Sequence, residues 1–510
     1  MSGRAATINV IPGSYALSVG AAAMPAPNGW RWICLTDVAR LESGHTPSRL
    51  HPEYWDGGIP WIGIKDARQH HGEIITETLQ TVTKDGIDNS AARVLPEGTV
   101  CLSRTASVGY VTVMGRPMAT SQDFVNWVCG PDLDPHFLKQ LLIAENESLF
   151  RFGKGSTHTT IYYPEVKAFH ISLPPLNEQR RIVAKLESLQ SRSRRAREAL
   201  DAVPPLLEKL RQSILAAAFR GDLTKDWRAQ NPNPESVDAL LERVPQPGGK
   251  SSGRAATTSI RMGRAALCVG DPGTETPSGW QWVPLARVAR MESGHTPSRN
   301  HSNYWDGGIP WIGIRDAREH HGREINETLQ TVTEKGLANS AARLLPERTV
   351  CLSRTASVGY VTIMGRTMAT SQDFANWICS EALLPEFLMF ALLAEDEHLR
   401  TFGEGTTHTT IYFPELKALH ISLPPLAEQA QIVSIVRRYL ERLETLKTLA
   451  AGYSGRLSQL DRSTLAKAFR GELVLQDPND EPANVMLAPV RNEASADSSR
   501  RRPRRAKAAE

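Results

Sequence analysis

Three loops rich in Ser, Thr, His and Arg are written twice in this chain of 510 residues. SGHTPSR at 43–49 returns at 293–299 and carries His45, Thr46, Ser48 and Arg49, then His295, Thr296, Ser298 and Arg299. LSRTASVGY at 102–110 returns at 352–360 with Arg104, Thr105 and Ser107, then Arg354, Thr355 and Ser357. STHTT at 156–160 answers TTHTT at 406–410, with Ser156 and His158 matched by Thr406 and His408. Lys65 and Arg68, matched by Arg315 and Arg318, add positive charge. Such side chains donate to phosphate oxygens and base edges, so they are candidate DNA contacts. Each has a structural alternative, because Ser and Thr cap turns and Thr46-Pro47 can simply shape a loop. The two copies act as a filter. Lys84 and Asp85 become Glu334 and Lys335, a charge reversal that marks plain surface, whereas the three loops persist.

Catalytic signatures are missing. The chain has no GxGxxG, GxxxxGK[ST] or HExxH, and no Asn/Asp-Pro-Pro-aromatic sequence of the kind amino-methyltransferases carry. His70-His71 and His320-His321 could bind a metal, but surface or turn placement is the simpler reading. Asp37, Glu42, Asp56, Asp66 and Asp123 show no spacing that singles out an acid/base pair, so solvated carboxylates or caps explain them. None of the six cysteines forms a CxxC pair. A net charge of +4 does not by itself announce a nucleic-acid partner. No apolar run is long enough to span a bilayer and the N-terminus lacks the pattern of a signal peptide, so a cytoplasmic protein with no membrane partner is expected.

The elements that must position these loops come as one unit written twice. Residues 41–130 align without a gap on 291–380, and 70 of those 90 positions are identical. Each unit opens at Gly-Trp, passes through GGIPWIGI, and closes at ISLPPLNEQ or ISLPPLAEQ. Short β-type runs punctuated by turn residues predict a mixed domain. A helical arm follows each. In the first, Ile182, Leu186, Leu189, Ser193, Ala196, Leu200, Val203, Leu207 and Leu210 recur in alternating steps of four and three, and in the second Ile432, Val436, Tyr439, Leu443, Leu446, Ala450, Tyr453, Leu457 and Leu460 do the same. This is a heptad seam, roughly 40 Å long, and each arm is the obvious partner of the other. Pro204-Pro205 must break or kink the first arm, and Gly452 with Ser454-Gly455 predicts a matching joint in the second. The division expected is an N-terminal segment at 1–27, domains at 28–175 and 278–425, helical regions at 176–225 and 426–475, a mobile linker at 226–277, and a basic disordered tail at 476–510.

SGHTPSR, YWDGGIPW, the Gly-Ser-Thr loop, ISLPPLNEQ and the arm ending in AFRG, in that order and twice, resemble the specificity subunit of type I restriction–modification systems. The resemblance implies an α+β fold with two similar target-recognition domains separated by an antiparallel coiled coil of two long helices, pseudo-twofold within one chain. It implies a non-catalytic subunit that reads a bipartite site in double-stranded DNA. The arms would dock two methyltransferase subunits, with restriction/translocase subunits completing the complex. This chain would bind no cofactor; S-adenosylmethionine, ATP and Mg2+ would act on the partners. The family's two domains usually differ. Here they are nearly alike, which predicts an interrupted palindrome as the target. The alternatives are an orphan DNA-binding regulator of the same fold and a self-contained DNA methyltransferase or nuclease.

Overall fold

A computed structural model describes residues 26–245 and 276–486, apart from 106, 146–148, 150–158, 233, 356, 396–398 and 400–409. It also places the backbone of two short strands, Ala16–Leu17 and Ala266–Leu267. The chain divides into two compact units. One comprises Met1–Leu200 with Gly452–Glu510, the other Asp201–Ala451. Each therefore holds one domain with a segment of both arms.

The first domain is built on a five-stranded sheet in the order Ala39–Ser43, Phe124–Cys129, Val100–Ser103, Val111–Met114, Ile74–Ile75, antiparallel except at its last pair. Both faces of this sheet are covered. Val100 and Leu102 join Val113, Val125 and Trp127 in one apolar cluster, while Cys101 between them joins Ile62, Ala67, Met114 and Phe124 in another. Alternation of side chains along a strand sends neighbours to opposite faces, so a doubly covered strand reads as an unbroken apolar run. A second sheet pairs Trp55–Ile62 with Gln80–Val82 and Ala119–Thr120. Trp55 and Ile59 both face Val82, so Asp56, Gly57 and Gly58 bulge out. Gly57 must be glycine, since a Cβ there would meet Thr83 at 2.3 Å. The second domain repeats this topology and register.

The PPLNEQ sequence joins domain to arm. Pro174-Pro175 ends the strand His170–Leu173, and the helix Leu176–Asp201 begins at once. Gln179 is fully buried. Its Nε2 donates to the carbonyls of Asp132 (2.9 Å) and Pro174 (3.0 Å), and its Oε1 accepts from the amide of Asp134 (2.8 Å). Gln429 does the same with Ala382, Pro424 and Leu384. Beside it, Glu178 is also buried and accepts from the indole of Trp30, the tryptophan that opens the domain, at 3.0 Å. Burial raises the Glu178 pKa, against the opposing pull of that hydrogen bond and Arg181.

Within each unit the two arm segments run in opposite directions. In the first, Ile182 and Leu186 share a cluster with Ala468 and Phe469, and Arg197 pairs with Asp461 further along at 2.8 Å. In the second, Leu215 and Ala218 share a cluster with Ile432, Val433 and Val436. The helix Pro135–Ala144 of the first domain and its equivalent Pro385–Ala394 add a third layer at these points. Here the copies differ. Gln140 and Gln190 exchange hydrogen bonds at 3.0 and 2.9 Å, whereas Phe390 and Leu440, at the matching positions, belong to the apolar cluster. The seam is accordingly uneven. Ile182, Leu186, Ile432, Val436 and Leu443 are buried, Leu189, Leu200, Leu207 and Leu457 are half-buried, and Leu210, Leu446 and Leu460 are exposed. Away from the third layer, two helices alone leave one side of each seam residue in water.

Three expectations need correction. The second arm has no break: Leu426–Phe469 is one helix through Gly452 and Gly455, while the first divides at Ala202 into Leu176–Asp201 and Val203–Phe219. Proline lacks the N–H the helix needs, whereas glycine keeps it and costs only about 1 kcal/mol in propensity. The linker does not start at 226. The segment Val237–Arg243 is a helix capped by Ser236, with Val237, Leu240 and Val244 buried in the second unit. The helix Lys225–Gln230 brings Arg228 onto buried Glu428. The tail does not start at 476 either. Asp480, itself nearly buried, binds Arg181 at 2.6 Å, and the amide of Ala483 donates to the Gly29 carbonyl at 3.2 Å. The N-terminal segment up to 25, the linker from 246 to 275 and the tail from 487 lie outside the described residues, save the two short strands.

Two outcomes follow. Leu443→Asp, at a position only 8% exposed, should cost about 3 kcal/mol or more in urea unfolding, and Leu460→Asp, at 59% exposure, under about 0.5 kcal/mol; equal losses would contradict the uneven seam. The hydrogen bond from Arg181 holds the Asp480 carboxyl below its ordinary 3.8. A depressed carboxyl stabilises the folded state above its unfolded pKa and loses that contribution as pH falls through the folded value. Limited proteolysis should therefore begin to cut within residues 477–486 only once pH falls below 3.8, and not at pH 7, whereas Asp480→Asn should expose them at both.

Candidate nucleic-acid interface

The loop 43–49 is held from beneath by two tryptophans of the YWDGGIPW strand. The indole of Trp61 donates to the His45 carbonyl at 3.1 Å, and that of Trp55 to the Ser48 carbonyl at 3.3 Å. The rings meet edge to face, and the Arg49 guanidinium lies 4.1 Å over Trp55. Arg49 also donates to Gln80 Oε1 at 2.9 Å. The His45 amide donates to the Thr120 carbonyl at 2.9 Å, and the Thr46 hydroxyl to Gln122 Oε1. A Cβ at Gly44 would strike the Ser121 carbonyl at 2.0 Å, which explains the glycine. In the second copy Trp311, Trp305, Arg299, Thr296 and Gln372 make the same set of contacts.

The other loops join this one through Gln122. Arg104 donates to the Gln122 carbonyl at 3.1 Å and to the Ile161 carbonyl at 3.5 Å, and stacks 4.8 Å from the Tyr163 ring. Its own carbonyl accepts from the Ile161 amide at 2.9 Å. Arg354 repeats this with Gln372, Ile411 and Phe413, and desolvation, its largest influence, lowers its pKa. The Thr355 and Thr410 hydroxyls lie 3.2 Å apart. Segments 43–49, 103–105 and 159–161 thus form one continuous cluster. The helix Ile64–Gln69 carries Lys65 and Arg68, both exposed. Its counterpart Ile314–Glu319 carries Arg315 and Arg318, and Arg318 Nε donates to Tyr360 Oη at 3.1 Å, against the second loop.

The candidates fall into two groups. Ser48, Arg49, Lys65 and Arg68, with Ser298, Arg299, Arg315 and Arg318, are exposed. His45, Thr46, Arg104, Thr105 and Ser107, with their counterparts, are half-buried, and Arg104 and Arg354 spend donors on main-chain carbonyls. Ser156, His158, Thr406 and His408 lie outside the described residues. Three of the five carboxylates, Glu42, Asp66 and Asp123, have structural partners. Glu42 binds Arg93 at 2.6 Å, Asp123 accepts from the Ser121 hydroxyl at 2.9 Å, and Asp66 accepts from the amides of Gly63 (2.9 Å) and Leu79 (2.7 Å). His71 Nδ1 accepts from the Val111 amide at 3.1 Å, and burial lowers its pKa. Burial likewise pushes the Cys101 and Cys351 thiols far up, away from nucleophilic thiolate. Sequence reasoning missed Gln122, Trp55 and Trp61 as the scaffold of these loops, although all three stand unchanged in both copies, whereas the cap reading of Asp66 matches its place in the first turn of the helix Ile64–Gln69.

The model of the type I restriction modification DNA specificity domain matches residues 27–200 and 277–451. The chain belongs to this family. The match takes in both domains and the start of both arms, so the two loop clusters lie in DNA specificity domains. The chain is 22% identical over 501 residues to the type I restriction enzyme EcoDI specificity subunit of Escherichia coli, spanning 94% of this chain and 98% of that relative. It is 22% identical to the EcoKI specificity subunit of Escherichia coli K12, with the same coverage. Its fold matches the HsdS subunit from Thermoanaerobacter tengcongensis with a TM-score of 0.56 at 20% identity, over 88% of this chain and 99% of that one. A chain from a structure of type I restriction–modification complex assembly matches with a TM-score of 0.63 at 21% identity, over 88% and 100%. No described helix is long and apolar enough to cross a membrane.

Asp66→Ala strips two main-chain amides of their buried acceptor and should destabilise the first domain by about 2 kcal/mol. Hydrogen exchange at Gly63 and Leu79 should accelerate while the sheet amides Val111–Met114 stay protected. Unchanged exchange at those two amides would show that Asp66 is not the clamp.

Proposed function

We propose that this chain is the recognition subunit of a type I restriction–modification complex and selects a split site made of two like half-sites in inverted orientation. One observation carries this reading: loops 43–49 and 293–299 are identical in sequence and keep the same tryptophan, glutamine and arginine contacts, and Arg104 and Arg354 make the same main-chain bonds. Like surfaces select like base sequences, and the opposed run of the arm segments inside each unit favours a second half-site that is the reverse complement of the first. Exposed Ser48, Arg49, Lys65 and Arg68 supply donors for phosphates and base edges. The half-buried Arg104 and Thr46 fix the shape of the cluster.

The chain itself carries out no chemistry in this reading. Two methyltransferase subunits dock on the arms and bring S-adenosylmethionine, and restriction/translocase subunits bring ATP and Mg2+, all in the cytoplasm. Leu206, Leu210, Leu446 and Leu449 stand exposed on the arm segments of the second unit, apolar surface that suits a helical partner. The purified chain alone should neither methylate nor cleave DNA, and should co-purify with a methyltransferase when the two are expressed together. Mapping methylated adenines in the host genome should reveal one interrupted palindrome. A target with two unrelated halves would overturn the inverted-repeat reading, and methylation by the lone chain would overturn the non-catalytic one.

A further inference from the structure

Leu79 and its copy Leu329 stand out among the exposed apolar side chains. Both are 65% exposed, and both sit beside the loop cluster. A solvated leucine contributes little to the fold, yet ETLQTVT is unchanged between the copies while the residues just before it drift, with Ile74 and Thr76 becoming Glu324 and Asn326. The backbone beneath is fixed on both sides. Asp66, only 4% exposed, accepts from the Leu79 amide, the Thr78 hydroxyl donates to the Gln80 carbonyl at 2.6 Å, and the Trp61 amide donates to that hydroxyl at 3.1 Å. Asp316, Thr328 and Trp311 hold Leu329 at the same distances. Next to the leucine, Gln80 receives Arg49 from the first loop.

The geometry points to Leu79 and Leu329 as specificity-determining residues, each covering the C5 methyl of one thymine in the major groove of its half-site. A rigid main chain presenting one bare isobutyl group is suited to a methyl contact, the only apolar feature a base edge offers there. The neighbouring Glu77 is exposed and repels phosphate, so this tip favours base edges over the backbone. Gln80 beside it keeps an amide N–H2 for an acceptor on the adjacent base. The inference rests on the DNA-recognition reading above.

The test uses the full chain assembled with its methyltransferase subunits and duplexes carrying the methylated site. Each thymine is replaced in turn by deoxyuridine, which removes only the C5 methyl. For the unmodified complex, one thymine per half-site should show a loss of about fourfold in affinity, the value of one buried methyl. The double variant Leu79→Ala, Leu329→Ala should bind the thymine duplex about tenfold or more weaker and lose its response to deoxyuridine at those positions, while keeping its response to other base changes. If the complex selects the site but the variant retains full deoxyuridine sensitivity, this inference falls and the recognition reading stands. Loss of methyltransferase assembly with unaltered DNA selectivity would make the leucines protein contacts and equally overturn it. A complex that selects no site removes the reading beneath both.

Discussion

The buried side-chain amide of Gln179, and its twin in Gln429, is the constraint on which the rest depends. It bonds three main-chain groups from the turn before one domain helix and from the proline pair that starts the arm. A buried amide has no water to fall back on, so each of these groups must stay where it is. Domain and arm are thereby set at one orientation to each other within a unit. A DNA specificity domain is useful only if its distance and angle to its arm are reproducible. Gln179 and Gln429 are accordingly fully buried at this junction, whereas the described loop candidates are half-buried or exposed.

The loops use a different economy. Their carbonyls are met by indole N–H groups and arginine forks, donors that leave the opposite side of the loop free. A tryptophan supplies a broad rigid face and a single N–H, so it can support a loop without competing for the outer donors. Arg104 and Arg354 bind neighbouring loops into one body in the same way. Between the two copies, differences collect where packing can absorb them, as at Val113 and Ile363, or on the rim, as at Lys84 and Glu334. The bulge at Asp56 and Asp306 keeps a positive φ of 60° and 59° in both.

Much of this was legible in the chain. The repeat, the order of motifs, the short β-type runs and the heptad seam of the arms all leave local patterns in sequence, and the antiparallel sense of the arms came with the family resemblance. The joint in the second arm was misjudged because Gly452 and Gly455 weaken a helix in isolation, while packing and an intact hydrogen-bond ladder carry this one through. The helix Val237–Arg243 was missed because three apolar residues in a Pro- and Gly-rich stretch give too short a period to register. The ordered reach of the chain to Met486 depends on an ion pair between Arg181 and Asp480, 299 positions apart, which no local pattern encodes. The scaffold role of Gln122 leaves no local pattern, because its side chain meets Thr46, 76 positions earlier, and its carbonyl meets Arg104, 18 positions earlier.

A duplicated chain faces a problem that two different domains do not: either domain could fold onto the other's arm. The contrast between Gln140 with Gln190 and Phe390 with Leu440 bears on it directly. A crossed pairing would set Phe390 against Gln190 or Gln140 against Leu440, stranding an amide in an apolar setting at a cost of about 1–3 kcal/mol each time. Tandem copies are prone to such misassembly. The back of each domain has thus become a key cut for its own lock, so the front could remain a duplicate without the halves being confused as the chain leaves the ribosome.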